Sequence, residues 1–162
     1  MKLIYMHHSE RDLSSNAKWG TEERKLDDIT QRGIKQAQLL SERMKDLKID
    51  AIYTSPYLRC THTADIINKY HNLDIIYDER FNEIQIDEEW KNLLSRNIDA
   101  IKDIVSKYDN DKTILCITSG VNISAFICYA YDIAPSNDLV WTQAADLSPV
   151  IFNIGTKKTT WN

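Results

Sequence analysis

Residues 52–67, IYTSPYLRCTHTADII, pass from one hydrophobic pattern to another and decide the predicted fold. The run DAIYTS, residues 50–55, is apolar and rich in strand-forming side chains, which is typical of a buried strand. Pro56 ends this strand, because proline fits the first turn of a helix and not the middle of a sheet. We therefore predict a strand that leads directly into a helix over residues 56–70.

The segment before this unit predicts a strand, a loop and a second helix. KLIYM, residues 2–6, is a short apolar run, so we expect a strand that ends at the two histidines that follow it. The polar residues 9–28 have no useful periodicity and are interpreted as a loop. Thr30 can cap a helix over residues 31–47, because apolar side chains recur there at helical spacing. These side chains are Ile34, Ala37, Leu40, Met44 and Leu47.

The segment after the unit continues the alternation of strands and helices. KTILCIT, residues 112–118, is very apolar and therefore predicts a central strand. The other predicted elements are strands at residues 73–78 and 148–155 and helices at residues 88–107 and 121–132. This alternation indicates an α/β fold, a three-layer sandwich around a mostly parallel central sheet. A chain of 162 residues is expected to form one domain, residues 1–162.

The charge and the apolar runs of the chain argue against several classes of protein. Its 20 basic and 24 acidic residues give a formal charge of −4, unlike the strongly basic surface of most nucleic-acid-binding proteins. No apolar run approaches the roughly 20 residues that cross a bilayer, and the N-terminus lacks the apolar core of a secretory signal. Cys60, Cys116 and Cys128 lack the spacing of metal ligands or of a disulfide framework. We expect a cytoplasmic protein that binds neither nucleic acid nor membrane and needs no metal.

Polar side chains follow three of the predicted strands at the point where each strand ends. In α/β sheets, ligands bind beyond the carboxyl ends of the strands, where helix N-termini present free backbone N–H groups. We therefore expect these side chains to converge on one pocket. They are His7 and His8 after the first strand, Thr54, Ser55 and Arg59 after the second, and Thr118, Ser119 and Gly120 after the fourth.

Five stretches of the chain, in the right order, resemble the histidine phosphatase superfamily, the phosphoglycerate-mutase-like group. Residues 52–67 resemble its strand followed by a Ser-Pro-x-x-Arg-Ala-x-x-Thr-Ala helix. LIYMHHSE (3–10) resembles the strand before Arg-His-Gly-Glu, and DDITQRGIKQAQLL (27–40) resembles the Leu-Thr-x-x-Gly-x-x-Gln-Ala helix. DERFNEI (78–84) resembles the acidic segment, and TILCITSGVNISAFI (113–127) resembles the strand that normally ends in His-Gly. In length the chain is similar to the short phosphohistidine phosphatases of this superfamily.

The resemblance implies a phosphoglycerate-mutase-like fold and a two-step phosphoryl transfer without cofactor or metal. It assigns the nucleophile to His8, the second pocket arginine to Arg59, and the acid that protonates the leaving oxygen to Glu83. A neutral imidazole is a nucleophile without prior deprotonation, and the rest of the chemistry needs alignment and positive charge around the phosphoryl oxygens. The implied partner is a phosphorylated small molecule or a phosphoprotein.

The chain departs from the family pattern at three positions. His7 stands where the first arginine is expected, Ser119 where the second histidine is expected, and Ser9 where glycine is usual. Loss of one preorganised donor commonly costs about 3 to 4 kcal/mol of transition-state stabilisation. We therefore expect slow or specialised hydrolysis of a phosphomonoester or a phosphohistidine. The alternative is a catalytically degenerate member that acts as an anion-binding, phosphoprotein-binding or regulatory module.

Several residues are candidates to compensate for the missing groups. A protonated His7 and the Ser119 hydroxyl could bind phosphate, together with the backbone N–H groups of Gly120 and its successor. His62 follows Arg59 by three residues and is expected on the same helical face, where it would reach the anion. Arg11 is a further candidate whose direction the sequence does not fix.

Three less specific interpretations stay open at this point. Neighbours in an extended strand point to opposite faces, so His7 and His8 share a pocket only if the strand ends between them. Glu83 lies among other acids and can equally be an ordinary solvated side chain. Ser119 as the nucleophile of a Ser-His hydrolase fits poorly, because the segment lacks the first glycine of the G-x-S-x-G elbow. Substrate identity and oligomeric state are not determined by the sequence.

Overall fold

Within the residues that the structure describes, the sheet at the centre of the molecule has six strands. The computed structural model of the chain describes residues 1–137, 147, 149–154 and 158–161. The strands are β1 (Lys2–His7), β2 (Ala51–Thr54), β3 (Ile75–Tyr77), β4 (Thr113–Thr118), β5 (Pro149–Asn153) and β6 (Lys158–Trp161). Their order across the sheet is β3-β2-β4-β1-β5-β6.

Four neighbouring strands of this sheet are parallel, which confirms the predicted mostly parallel architecture. The parallel pairs are β3 with β2, β2 with β4, and β4 with β1, so the apolar β4 is central as expected. β5 runs antiparallel to β1, and β6 runs antiparallel to β5. The sequence pattern did not indicate β6. Residues 148 and 155 of the last predicted strand lie outside the described residues.

Helices cover both faces of the sheet. They are α1 (Glu22–Lys25), α2 (Gln31–Met44), α3 (Leu58–Asn68), α4 (Trp90–Lys107) and α5 (Ile123–Tyr131). Side chains of β1 alternate between the two layers: Leu3 and Tyr5 pack with α4 and α5, whereas Ile4 and Met6 pack with α2 and α3. This alternation is the period of two expected of a strand that is buried on both faces.

The helix boundaries follow local signals. Thr30 caps α2 as predicted, because its Oγ1 accepts a hydrogen bond from the backbone N–H of Gly33 at 2.9 Å. The helix ends at Met44, three residues before the predicted end, although Leu47 still packs against the core. Within the part of the chain that the structure describes, no helix combines the length and the apolar character needed to cross a bilayer.

The predicted loop at residues 9–28 contains the one-turn helix α1, which buries Arg24. Gly20 has a φ of +77° and lies against the backbone of Gln85 and Ile86, where a Cβ would collide with the Ile86 nitrogen. Only glycine adopts this backbone conformation at so close an approach without strain. The loop is therefore held against the segment that follows Phe81.

Candidate active site

A cavity of about 300 Å³ lies at the carboxyl edge of the parallel strands. His7 at the end of β1 is paired in register with Thr118 at the end of β4, and β2 ends beside them at Thr54. The strand ends therefore meet as the sequence predicted. The cavity is lined by His7, His8, Glu10, Arg11, Leu13, Trp19, Arg24, Glu83, Gly120 and Val121.

Both histidines of the opening strand line this cavity. β1 ends at His7, and the backbone N–H of His8 then donates to the Thr118 carbonyl at 2.9 Å. The strand thus ends between His7 and His8. Because side chains within a strand alternate between its two faces, the two histidines can share a pocket only where the strand ends in this way. The centroids of the two imidazole rings are 4.1 Å apart.

The His8 ring is oriented so that its Nε2 is the unprotonated nitrogen. Nδ1 lies 2.7 Å from the carbonyl oxygen of Ser9, and because a carbonyl only accepts, Nδ1 carries the hydrogen. Burial lowers the pKa of His8 well below its ordinary value, and the neighbouring His7 and Arg59 lower it further. His8 is therefore a neutral imidazole with a lone pair on Nε2.

Ser9 is fixed to helix α3 through one hydroxyl group. The Thr63 hydroxyl donates to the Arg59 carbonyl at 2.7 Å and accepts from the backbone N–H of Ser9 at 3.1 Å. The Ser9 hydroxyl lies 3.0 Å from the same oxygen. Ser9 is not among the described residues with positive φ, so its backbone conformation does not require glycine.

Arg59 lies beneath the cavity floor and connects three parts of the site. Its side chain is fully buried, and Nε donates to Nε2 of His8 at 3.2 Å. Nη1 donates to the carbonyl of Arg24 at 2.8 Å, and Nη2 donates to Glu83 at 3.0 Å. The structure therefore brings Arg59 and His8 together, but each nitrogen of the guanidinium is engaged within the protein.

Glu83 is a buried member of the site and not a solvated acid. Its side chain follows the 3₁₀ turn Glu79–Phe81, and only 4% of the residue is exposed. Its carboxylate accepts hydrogen bonds from Arg59 and, at 2.5 and 3.2 Å, from Nε and Nη2 of Arg24. Paired guanidinium groups offset the cost of burying this charge.

Arg24 was not predicted from the sequence. It lies in a polar loop without periodicity, where nothing distinguishes it from the other charged residues. In the structure its side chain is buried, lines the cavity and stacks on Trp19, whose ring centroid lies 4.2 Å from the guanidinium carbon. Arg24 is held at the site by its ion pair with Glu83, which lies 59 residues away in the chain, so local sequence patterns do not indicate it.

Arg11 adds a third guanidinium at the cavity wall. It forms an ion pair with Asp27 at 2.8 Å, and Asp27 also accepts from the Ser15 hydroxyl. Burial and then the nearby charges of Arg24 and Arg59 lower the pKa of Arg11. The guanidinium groups of Arg24 and Arg59 thus lie close enough to act on the charge of Arg11, against the opposite effect of Asp27 and Glu83.

The turn after β4 contributes backbone and not the predicted side chain. Gly120 and Val121 line the cavity at the 3₁₀ turn Gly120–Asn122, which leads into α5. Ser119 is buried, is not among the lining residues, and its Oγ has no hydrogen-bond partner within the described residues. The structure therefore brings Gly120 to the site and leaves the Ser119 hydroxyl away from the cavity surface.

His62 does not join the other predicted residues, which corrects the expectation from its helical spacing. Its Nδ1 lies 2.6 Å from a carboxylate oxygen of Asp28, and its side chain is about half exposed. The residue of α3 that reaches the end of β1 is Thr63, one position and about 100° further round the helix. The i, i+3 spacing correctly predicts that His62 lies near Arg59 on the helix. It does not predict which side of the helix faces the cavity, and His62 lies on another side.

The arrangement suits an anion. Arg11 and Arg24 line the cavity together with the acids Glu10 and Glu83, and Arg59 lies beneath it beside the neutral His8. Guanidinium donors can bind phosphoryl oxygens in a planar, forked geometry. Within residues 1–137 and the shorter described ranges, no group of three or more His, Cys, Asp or Glu side chains is placed to hold a metal ion.

Comparison with known proteins gives a family match and several relatives. Residues 8–93 match the family model of the histidine phosphatase superfamily (branch 1). Phosphoserine phosphatase 1 of Hydrogenobacter thermophilus is 32% identical over 113 residues, which are 68% of this chain and 48% of that protein. The chain thus spans about half the length of the curated relatives it matches.

Solved structures share the fold along nearly the whole chain. The α-ribazole phosphatase from Shigella flexneri superposes with a TM-score of 0.79 at 18% identity and covers 100% of this chain and 95% of that one. A mutant phosphoserine phosphatase from Entamoeba histolytica, in complex with phosphoserine, has a TM-score of 0.74 at 20% identity, with 99% and 94% covered. At these identities, the likeness establishes the fold.

Proposed function

Since the chain belongs to branch 1 of the histidine phosphatase superfamily, we propose that it hydrolyses a phosphorylated substrate through a phosphohistidine intermediate on His8. The observation that carries this proposal is the state of His8. Its ring is neutral, its Nδ1 is fixed by the Ser9 carbonyl, and its Nε2 lone pair lies beside the guanidinium of Arg59, beneath the cavity that His8 lines. These are the requirements for an imidazole that attacks phosphorus without a separate base.

In the first step, Nε2 of His8 attacks phosphorus while the bond from phosphorus to the leaving oxygen breaks. Arg59 Nε occupies the same lone pair in the structure, so this donor must turn to a phosphoryl oxygen before attack. The guanidinium groups then stabilise the charge that spreads over the three phosphoryl oxygens. The departing oxygen takes a proton from Glu83, which lines the cavity and enters this step protonated from solvent, after the anion has drawn away the guanidinium donors that bind its carboxylate in the resting site.

In the second step, water attacks the phosphohistidine and the bond from phosphorus to Nε2 breaks. Glu83 accepts a proton from this water, so that phosphate leaves and neutral His8 is restored. Glu83 can serve both steps because it lines the cavity and is held beside His8 through Arg59. Atoms and charges balance over the cycle, with water as the only co-reactant.

We propose a small phosphorylated molecule as the substrate. The relatives named above include a phosphoserine phosphatase and an α-ribazole phosphatase, and one neighbour was solved with phosphoserine. A cavity of about 300 Å³ matches the lower end of small-ligand pockets. Leu13 and Trp19, which line it, are 63% and 45% exposed and offer apolar surface to the part of the substrate beyond the phosphate.

A second candidate function is anion binding without transfer. The observation that favours it is the set of contacts at Arg59, each of whose three nitrogens donates to the protein, with Nε2 of His8 as one of the acceptors. If these contacts persist when an anion enters, phosphate is held by other donors and the nucleophile stays blocked. The chain would then act as a binding or regulatory module for phosphorylated molecules.

One experiment separates these two functions. The protein is incubated with a small phosphoryl donor and tested for acid-labile phosphate on histidine, and turnover of an aryl phosphate is followed from weakly acidic to weakly alkaline pH. We expect labelling and turnover by the wild-type protein and neither by His8→Ala. His71→Gln, in the loop after α3, is the matched histidine control and should behave as the wild-type protein. An unlabelled, inactive wild-type protein that still binds phosphate would favour the binding module.

A further inference from the structure

Two arginines approach Glu83, but only one of them lines the cavity. Glu83 Oε2 receives Nε of Arg24 and Nη2 of Arg59, and Oε1 receives Nη2 of Arg24. Arg59 is covered completely, whereas Arg24 is part of the cavity wall. An entering anion therefore meets the guanidinium of Arg24 first, and it has to displace the Glu83 carboxylate from that guanidinium but need not reach the covered Arg59.

The Arg24 side chain is held in a geometry that suits a phosphoryl group. Trp19 stacks on one face of the guanidinium. Nη1 of Arg24 lies 3.4 Å from the carbonyl oxygen of Ala17. The remaining donors, Nε and Nη2, form a fork on the two oxygens of Glu83. A phosphate presents the same spacing of oxygens to such a fork as a carboxylate does. The carboxylate of Glu83 thus marks a position that phosphoryl oxygens can occupy.

We propose that Arg24 binds the phosphoryl group and supplies the guanidinium that the family pattern places at position 7, where this chain has His7. This inference rests on the proposed function and names a residue that acts in it. When the anion takes the fork of Arg24, Glu83 loses two of its hydrogen-bond donors. The carboxylate then becomes available for proton transfer to or from the substrate oxygen.

Arg11 also lies at the cavity wall, but its contacts make it a weaker substitute for the family arginine at position 7. Nη1 of Arg11 donates to Asp27, which is buried and also accepts a hydrogen bond from Ser15. Asp27 is not a group of the proposed reaction. Arg24, in contrast, shares Glu83 with Arg59, and Arg59 contacts His8 directly, so an anion bound by Arg24 lies within the same connected set of side chains.

The test measures phosphate binding and chemistry separately. Inorganic phosphate is titrated into wild-type protein, Arg24→Gln and the control Arg43→Gln by calorimetry, and histidine labelling and aryl-phosphate turnover are measured on the same samples. Arg43 is an exposed arginine of α2, far from the cavity lining. We expect Arg24→Gln to bind phosphate at least tenfold more weakly and to turn over about 10²- to 10³-fold more slowly. Arg43→Gln should match the wild-type protein.

Two rescue measurements distinguish anion binding from a structural role. Methylguanidinium added to Arg24→Gln should restore part of the turnover, because it can occupy the space that the side chain leaves. His7→Arg in the Arg24→Gln background should also restore phosphate affinity, because it returns a guanidinium to the same cavity. If Arg24→Gln does not fold, Arg24→Lys replaces it and is expected to lose phosphate affinity, since lysine keeps the charge but not the fork.

The inference is overturned if the tested Arg24 variant folds and binds phosphate as tightly as the wild-type protein, or if the wild-type protein binds no phosphate. The outcome for the proposed function is separate. If the wild-type protein binds phosphate through Arg24 but is not labelled on His8 and does not hydrolyse the aryl phosphate, the proposed phosphatase activity is refuted. The proposed role of Arg24 in anion binding then still holds.

Discussion

Nε of Arg59 lies 3.2 Å from Nε2 of His8, so the guanidinium donates to the lone pair that the proposed reaction must use. The same guanidinium binds Glu83 and the carbonyl of Arg24. In the resting site the nucleophilic nitrogen of His8 and the guanidinium of Arg59 are therefore occupied by contacts within the protein. An anion frees these groups only if it replaces those contacts with equally good acceptors, which phosphoryl oxygens are.

Replacing Arg59 tests how much this closed arrangement stabilises the fold. Arg59→Met removes a buried charge and leaves the Arg24 carbonyl without its donor. We expect the free energy of unfolding to fall by about 3 to 5 kcal/mol, as when one partner of a buried ion pair is lost. Urea unfolding measures this change, with Arg43→Met as the exposed control. An unchanged midpoint would mean that the contacts of Arg59 contribute nothing net to stability.

The lowered pKa of His8 predicts a pH dependence of stability. The folded chain keeps His8 neutral well below 6.5, whereas the unfolded chain protonates it near that value. Below about pH 6.5 the unfolded state therefore binds more protons, and stability falls by up to about 1.4 kcal/mol per pH unit. The loss ends once pH passes below the folded pKa. His8→Gln should lack this component, and parallel stability curves for the two proteins would contradict the assignment.

Thr63 tests the attachment of the segment after β1 to α3. Thr63→Val keeps the shape of the side chain but leaves the buried N–H of Ser9 without its acceptor. We expect a loss of about 1 to 3 kcal/mol in the free energy of unfolding and weaker histidine labelling, because the Ser9 carbonyl orients the His8 ring. Thr61→Val is the matched control, since its hydroxyl bonds only within α3 to the Leu58 carbonyl at 2.9 Å. Equal effects of the two changes would refute this role of Thr63.

Restoring the family residues tests whether the rest of the site is intact. His7→Arg places a further guanidinium at a position that lines the cavity, and we expect turnover to rise by no more than about tenfold, because Arg24 already supplies the guanidinium that the family has there. Ser119→His has a smaller expected effect, because the Ser119 side chain is buried and does not reach the cavity surface. Steady-state kinetics of both single variants and of the double variant check this order. A folded double variant without any gain would count against the alignment of these positions.

Local patterns were sufficient for the elements and for the edge of the sheet where the site lies. Alternating apolar runs and helical spacing predicted the strands other than β6 and the helices α2 to α5, and parallel strands necessarily bring their carboxyl ends to one edge. His8 was found in this way because it directly follows β1, and Arg59 because it lies in the first turn of the helix after β2. The N-cap of α2 at Thr30 was also readable, since a capping bond spans only three residues.

The tertiary structure decided which side chains complete the site. Glu83 is buried only because α1 and α3 bring Arg24 and Arg59 to it, and Arg24 is placed by a loop that packs on residues 85–86. His62 points to Asp28 because the rotation of α3 about its axis is fixed by core packing and not by the spacing from Arg59. Periodicity within an element reports which of its faces is apolar. It carries no information on contacts between a loop and residues far away in the chain, and those contacts build the anion site.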